Sequence, residues 1–112
     1  MPSMPNMQEL MEKAKEMQQQ MQQAQKEILM IEVVGQSGGG LVKIRMNGGH
    51  RALHVEIAPS LLHDDEETLE DLVMAAINHA SDQIEKGTKD KMMSVAKALQ
   101  LPADFDQGTT TT

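Results

Sequence analysis

The sequence predicts an α+β fold with the element order α-β-β-β-α: a three-stranded antiparallel sheet flanked by long terminal helices. Three observations predict it. Apolar residues recur at heptad spacing through the first 28 residues. Three short runs of β-branched and aliphatic residues follow, separated by glycine-rich turns. A helical stripe of apolar residues then runs from Leu69 to Leu99.

The first helix is expected at about residues 6–27. Met7, Leu10, Ala14, Met17, Met21, Ala24 and Ile28 alternate in steps of three and four, the seam of a coiled-coil-like helix. Gln, Glu and Lys fill the positions between, all of them good helix formers. Asn6 is the expected N-cap, with Glu9 three residues on. The methionines read as adaptable packing rather than as metal ligands. Such a helix is marginal alone in water, so its seam requires a partner: the later helix, or the same helix of a second copy.

Strands are expected at about 28–35, 40–47 and 51–58. Leu29 to Val34 is aliphatic and ends at Gly35. Gly38-Gly39-Gly40 turns the chain, and Leu41 to Met46 alternates with period two. Asn47-Gly48 is a signal for a primed hairpin turn with positive φ at both residues. Arg51 to Ile57 alternates again and stops before Pro59. Val42, Ile44 and Met46 with Leu53, Val55 and Ile57 form one apolar face; Lys43, Arg45, His54 and Glu56 form the other.

Helices are expected at about 64–86 and 88–99, divided at Gly87, after a short turn at Pro59 to Leu62. Asp64 or Asp65 caps the first of them. Acids crowd its opening turns, where the helix dipole favours negative charge. Leu69, Leu72, Val73, Ala76, Ile77, Ala80 and Ile84 make its buried stripe. Residues 1–102 thus read as one domain and 103–112 as a disordered tail.

Composition narrows function. The 112 residues contain one aromatic, Phe105, and no Cys. Base-stacking platforms, aromatic cages, disulfides, Cys-ligated zinc and thiol nucleophiles are excluded. No run approaches a membrane span or a signal peptide, so the expectation is a small soluble intracellular domain. The net charge of −7 is unevenly spread: residues 59–86 hold eight acids against Lys86 alone, whereas Lys89, Lys91 and Lys97 face only Asp90 in residues 87–98.

Gly35 and Gly40 have phosphate-loop separation, but Leu41 and Val42 stand where Lys and Ser/Thr are needed, so the run is a turn. His50, His54 and Glu56 share a strand face by parity, yet three or four convergent ligands are needed for zinc, and the reading is surface side chains with no metal. No spacing supports an enzyme. The basic candidates are Lys13 and Lys15 near the start of the first helix, with Lys86, Lys89, Lys91 and Lys97 near the end of the last. If these helix ends converge, they present a phosphate-binding surface, salt-sensitive and indifferent to sequence.

These blocks also carry a resemblance. Glu32-Val33-Val34-Gly35-Gln36-Ser37-Gly38-Gly39-Gly40-Leu41-Val42-Lys43, Asn47-Gly48-Gly49-His50, Val55-Glu56-Ile57-Ala58-Pro59-Ser60-Leu61-Leu62 and Leu69-Glu70-Asp71-Leu72-Val73, in that order, closely resemble the YbaB/EbfC family of bacterial nucleoid-associated proteins. The resemblance implies a tight, tweezer-shaped homodimer. It implies duplex DNA as partner, bound without catalysis and altered in conformation, with roles in nucleoid organisation and gene regulation. It places contact on the terminal helices, here bearing Lys13, Lys15, Lys89, Lys91 and Lys97. The implied location is the cytoplasm, at the nucleoid, with no cofactor, small-molecule substrate or membrane. Ser81-Asp82-Gln83 and Ala103-Asp104-Phe105-Asp106 depart from the more basic sequences of relatives. The competing reading is a homodimeric helical clamp for a partner protein, without nucleic acid.

Overall fold

The computed structural model describes residues 6–99. The expected tail at 103–112 and the end of the predicted domain at 102 lie outside the described residues. The elements are α1 (Met7–Leu29), β1 (Glu32–Ser37), β2 (Val42–Asn47), β3 (Ala52–Ile57), a short 3₁₀ turn (Pro59–His63) and α2 (Glu66–Ala98). The order is the predicted α-β-β-β-α, and the strands pair antiparallel in the order β1-β2-β3.

Asn6 caps α1 as expected: its Oδ1 accepts the Glu9 N–H at 2.8 Å. The helix continues two residues past the expected end at 27, closed by Met30 N–H to Glu27 O and Ile31 N–H to Ile28 O. The first strand accordingly begins at Glu32 rather than at residue 28, and it passes through Gly35 to Ser37. Gly35 is a packing residue, not a terminator. A Cβ there would lie 2.2 Å from the Ala76 carbonyl oxygen and 2.5 Å from the Ala80 nitrogen. Only a glycine lets α2 press this closely onto the strand.

The second hairpin also differs from the expected primed turn. Asn47 is the last residue of β2, and the left-handed residue is His50, at φ 60. The Asn47 side chain shapes the turn, its Oδ1 accepting from Gly49 N–H at 2.9 Å and Arg51 N–H at 3.2 Å. Gly48 is pressed onto the end of α1: its N–H donates to Ile31 O at 2.8 Å, and a Cβ would meet the Ile28 oxygen at 1.6 Å. The pairing register shifts between Arg45 and Met46, so Ala52 and not Leu53 stands opposite Met46.

Asp65 is the N-cap of α2, accepting Thr68 N–H at 2.8 Å. The predicted break at Gly87 is absent, and α2 is one helix of 33 residues. Gly87 instead faces Ile31, whose Cδ1 lies 3.4 Å from a Cβ built there. A single tolerated glycine costs a helix only ~1 kcal/mol relative to Ala, too little to break it against tertiary contacts.

Two clusters hold the molecule. Val42, Ile44 and Met46 of β2 pack with Leu61, Ala76, Ala80 and Ile84, flanked by Val33, Leu69, Leu72 and Val73. We call this the body. Ala24 packs with Val95 and Leu99, flanked by Met17 and Met21, so α1 runs antiparallel to the second half of α2. We call this the arm. The whole is elongated, with extents of 74 × 25 × 20 Å.

The two sheet edges are treated differently. Along β1, Gln36 N–H donates to His79 Nδ1 at 3.0 Å and the Ser37 hydroxyl donates to Leu72 O at 2.6 Å, so α2 covers that edge. β3 lies beyond the cover of α2 and is exposed along its whole length. Val55 and Ile57 stand opposite Ile44 and Val42 on the core face, yet remain 48% and 36% exposed.

Candidate nucleic-acid interface

The arm carries most of the lysines that the sequence singled out, and the helix geometry sorts them. Lys86, Lys89 and Lys97 are exposed. Steps of three and eleven residues set them within ~80° of one another around the α2 axis. That stripe points away from Val95 and Leu99, the side that packs on α1. Among the described residues, none of the three forms an ion pair.

Lys91 does not join them. It turns toward α1 and pairs with Glu27. The hydrogen bond from Lys91 holds the Glu27 carboxyl below its ordinary value, the Lys91 charge and a Gln23 hydrogen bond adding to it against desolvation. Lys13 and Lys15 are separated as well, because residues two apart lie on opposite sides of a helix. Lys13 falls in line with Met17 and Ala24 on the packing side, while Lys15 faces outward. Lys26, eleven residues on from Lys15, shares its face and is missing from the sequence candidates. The spacing alone was enough to find it.

The expected convergence of helix ends holds in direction. The start of α1 and the end of α2 lie at the same end of the arm, given the antiparallel packing of Ala24 on Val95 and Leu99. The seam is only half used, however. Met17, Met21 and Ala24 meet α2, whereas Met7 and Leu10 are 77% and 52% exposed.

Asp82, Glu85 and Asp90 lie within about one turn of Lys86 and Lys89 and offset part of their charge. The other acids, Asp64 to Asp71, sit at the start of α2, in the body. From Glu70 to Lys89 the axial distance is ~28 Å, well beyond the ~8 Å Debye length at physiological salt. Their local role is structural: the side chain and N–H of Thr68 both hydrogen-bond the Asp65 carboxyl and lower its pKa.

The outward sheet face is balanced in charge. Arg45 Nε lies 3.4 Å from Glu32 Oε1, and Lys43 stands opposite Glu56. His50 lies in the turn ahead of β3, so it does not share the strand face of His54 and Glu56 as the parity reading expected. Among the described residues no three His, Asp or Glu side chains are grouped to hold a metal ion. No helix among them is long and apolar enough to cross a membrane.

One large apolar surface remains. Leu69, Glu70, Val73, Met74 and Ile77 of α2 line a groove of about 430 Å³. Met74 and Ile77 are exposed, as are Val55 and Ile57. Patches of this kind on a small chain mark association surfaces.

The fold is shared with a solved protein. The crystal structure of the uncharacterized protein HP0035 from Helicobacter pylori matches with a TM-score of 0.65 and 24% identity, covering 78% of this chain and 92% of that one. The model of the YbaB/EbfC DNA-binding family matches residues 4–99, which takes in every element described above. Sheet, arm and sequence blocks therefore agree, and the chain belongs to the YbaB/EbfC family of DNA-binding, nucleoid-associated proteins.

Proposed function

We propose that this chain acts as a homodimer that binds duplex DNA through lysine–phosphate contacts along its arms and alters the conformation of the duplex, working by binding rather than catalysis, in the cytoplasm at the nucleoid. The observation that carries the reading is the outward stripe of Lys86, Lys89 and Lys97, exposed and without an ion pair among the described residues. Lys15 and Lys26 on the outward face of α1 add a second positive stripe on the opposite side of the arm. Point charges of this kind bind phosphate without reading bases, so low sequence preference follows. Straddling a duplex with two arms deforms it where it is pliable, which is how the contacts translate into altered conformation and regulation.

The dimer reading is supported by the body. A sheet covered by α2 over two of its three strands leaves Val55 and Ile57 exposed, and Met74 and Ile77 of α2 are exposed as well. A two-fold axis buries each patch against the other copy's. It also duplicates every lysine, which is how a chain of net charge −7 presents two basic arms.

The test is a fluorescence-anisotropy titration of the full chain against a random-sequence duplex at two salt concentrations. With about six phosphates neutralised per dimer, affinity falls roughly a thousand-fold between low and physiological salt. Replacing Lys86, Lys89 and Lys97 together by Gln weakens binding to all sequences alike and flattens that salt dependence. Binding that ignores both salt and the lysines would favour the protein-clamp reading. Light scattering reports the dimer: Val55→Glu with Ile77→Glu yields a folded monomer, and a wild-type chain that is already monomeric removes the two-fold reading.

A further inference from the structure

The pairing of Lys91 with Glu27 sits in a groove along the edge of the packing seam. The groove lies between α1 and α2, has a volume of about 520 Å³, and has Ala24, Val95 and Ala98 together with Gln19, Gln20, Gln23 and Ser94 around the ion pair. Three amides and a hydroxyl are donors that position phosphate oxygens on nucleic acid. The Glu27 carboxylate already sits in this setting, paired with Lys91. Neither partner is enclosed: the side chains of Lys91 and Glu27 are 33% and 46% exposed.

We propose that this groove is a phosphate subsite, in which Glu27 holds the place of a DNA phosphodiester and gives up Lys91 when the duplex binds. The inference rests on the DNA-binding reading above and adds a residue-level gate to it. Exchange of one anion for another around the same ammonium leaves no buried charge unpaired, because the displaced carboxylate returns to water. Half-exposed ion pairs contribute little to stability and are weakened by salt, so the latch yields readily to a polyanion. Lys91 lies ~140° around α2 from Lys86, so the groove meets a stretch of backbone other than the one under the outward stripe. Lysines of the stripe are available at all times; Lys91 is available only when Glu27 lets go.

The test is a double-mutant cycle on the full chain, reading affinity for a random-sequence duplex at low salt. Glu27→Gln keeps an amide that hydrogen-bonds across the groove, and it tightens binding several-fold by releasing Lys91. Lys91→Gln weakens binding and removes about one from the slope of log K against log salt for each arm. In the double variant the gain from Glu27→Gln disappears. Glu12→Gln, which removes the same charge from the exposed side of α1, gives a smaller gain that is the same with or without Lys91.

A gain from Glu27→Gln that survives in the Lys91→Gln background, or one matched by Glu12→Gln, overturns the subsite and leaves DNA binding standing. So does an absence of any effect of Glu27→Gln in variants whose thermal melts match wild type. No binding by any variant, wild type included, overturns the DNA reading and the subsite with it. A parallel titration with inorganic phosphate, followed by the NMR shift of the Lys91 ammonium, separates the sources. A strong response to the free anion would overturn the duplex assignment.

Discussion

The body and the arm share one helix and are built on opposite terms. In the body, α2 approaches β1 so closely that a single added Cβ at Gly35 meets backbone, and seven side chains are buried around it. In the arm, the same α2 meets α1 through Ala24, Val95 and Leu99, two half-covered methionines and one exposed ion pair. The body specifies a single geometry, as close-packed interiors do. The arm is held by adaptable thioethers and polar contacts, which lets it adjust to a ligand surface. The close-packed core and the outward lysines are thus placed in different halves of α2.

That division can be broken by substitution. The largest effect is expected for Gly35→Ala, whose Cβ collides with the Ala76 carbonyl. A loss of about 3 kcal/mol or more in denaturant unfolding follows, because backbone cannot step aside as a side chain can. Next comes Ile84→Ala in the body, at about 2–5 kcal/mol. Leu99→Ala in the arm sharpens the contrast. It speeds amide exchange in α1 and the last turns of α2 while β2 stays protected, because the arm opens as a local unit. Equal loss of protection in β2 would show that arm and body are one cooperative unit.

The smallest expected effect is that of acid. The folded carboxyls of Asp65 and Glu27 titrate below their ordinary values of 3.8 and 4.5. Their contributions are therefore fully present above those values and are lost as pH falls through the lowered ones. An acid titration followed by amide exchange should loosen the first turn of α2 through Asp65 and the arm through Glu27. Asp65→Asn and Glu27→Gln each remove the pH dependence of one region and leave the other unchanged.

Much of this was legible in the residues. The alternation in Val42, Ile44 and Met46 identified the buried face, the Asn6 cap marked the start of α1, and the Asp64-Asp65 pair bracketed the start of α2, where Asp65 is the cap. What escaped was every feature set by a distant neighbour. Gly35 reads as a strand end until Ala76 is placed above it, and Gly87 reads as a break until Ile31 is seen against it. His50 left the strand because the turn at Asn47 closes one residue later than the Asn-Gly signal predicts. Of the candidate lysines, Lys91 was indistinguishable from Lys89 by composition. Two residues of helix turned one to solvent and the other to Glu27.

The sequence by itself determined the element order, the core face of the sheet and the concentration of acids at one end of α2. Local periodicity and capping chemistry act over a few residues, and each is written in the residues concerned. Only the tertiary structure decided that α2 is continuous, that it covers β1 and β2 but leaves β3 bare, and that Lys91 is paired with Glu27. Those outcomes depend on how closely two backbones approach across the fold, a distance that no local pattern encodes.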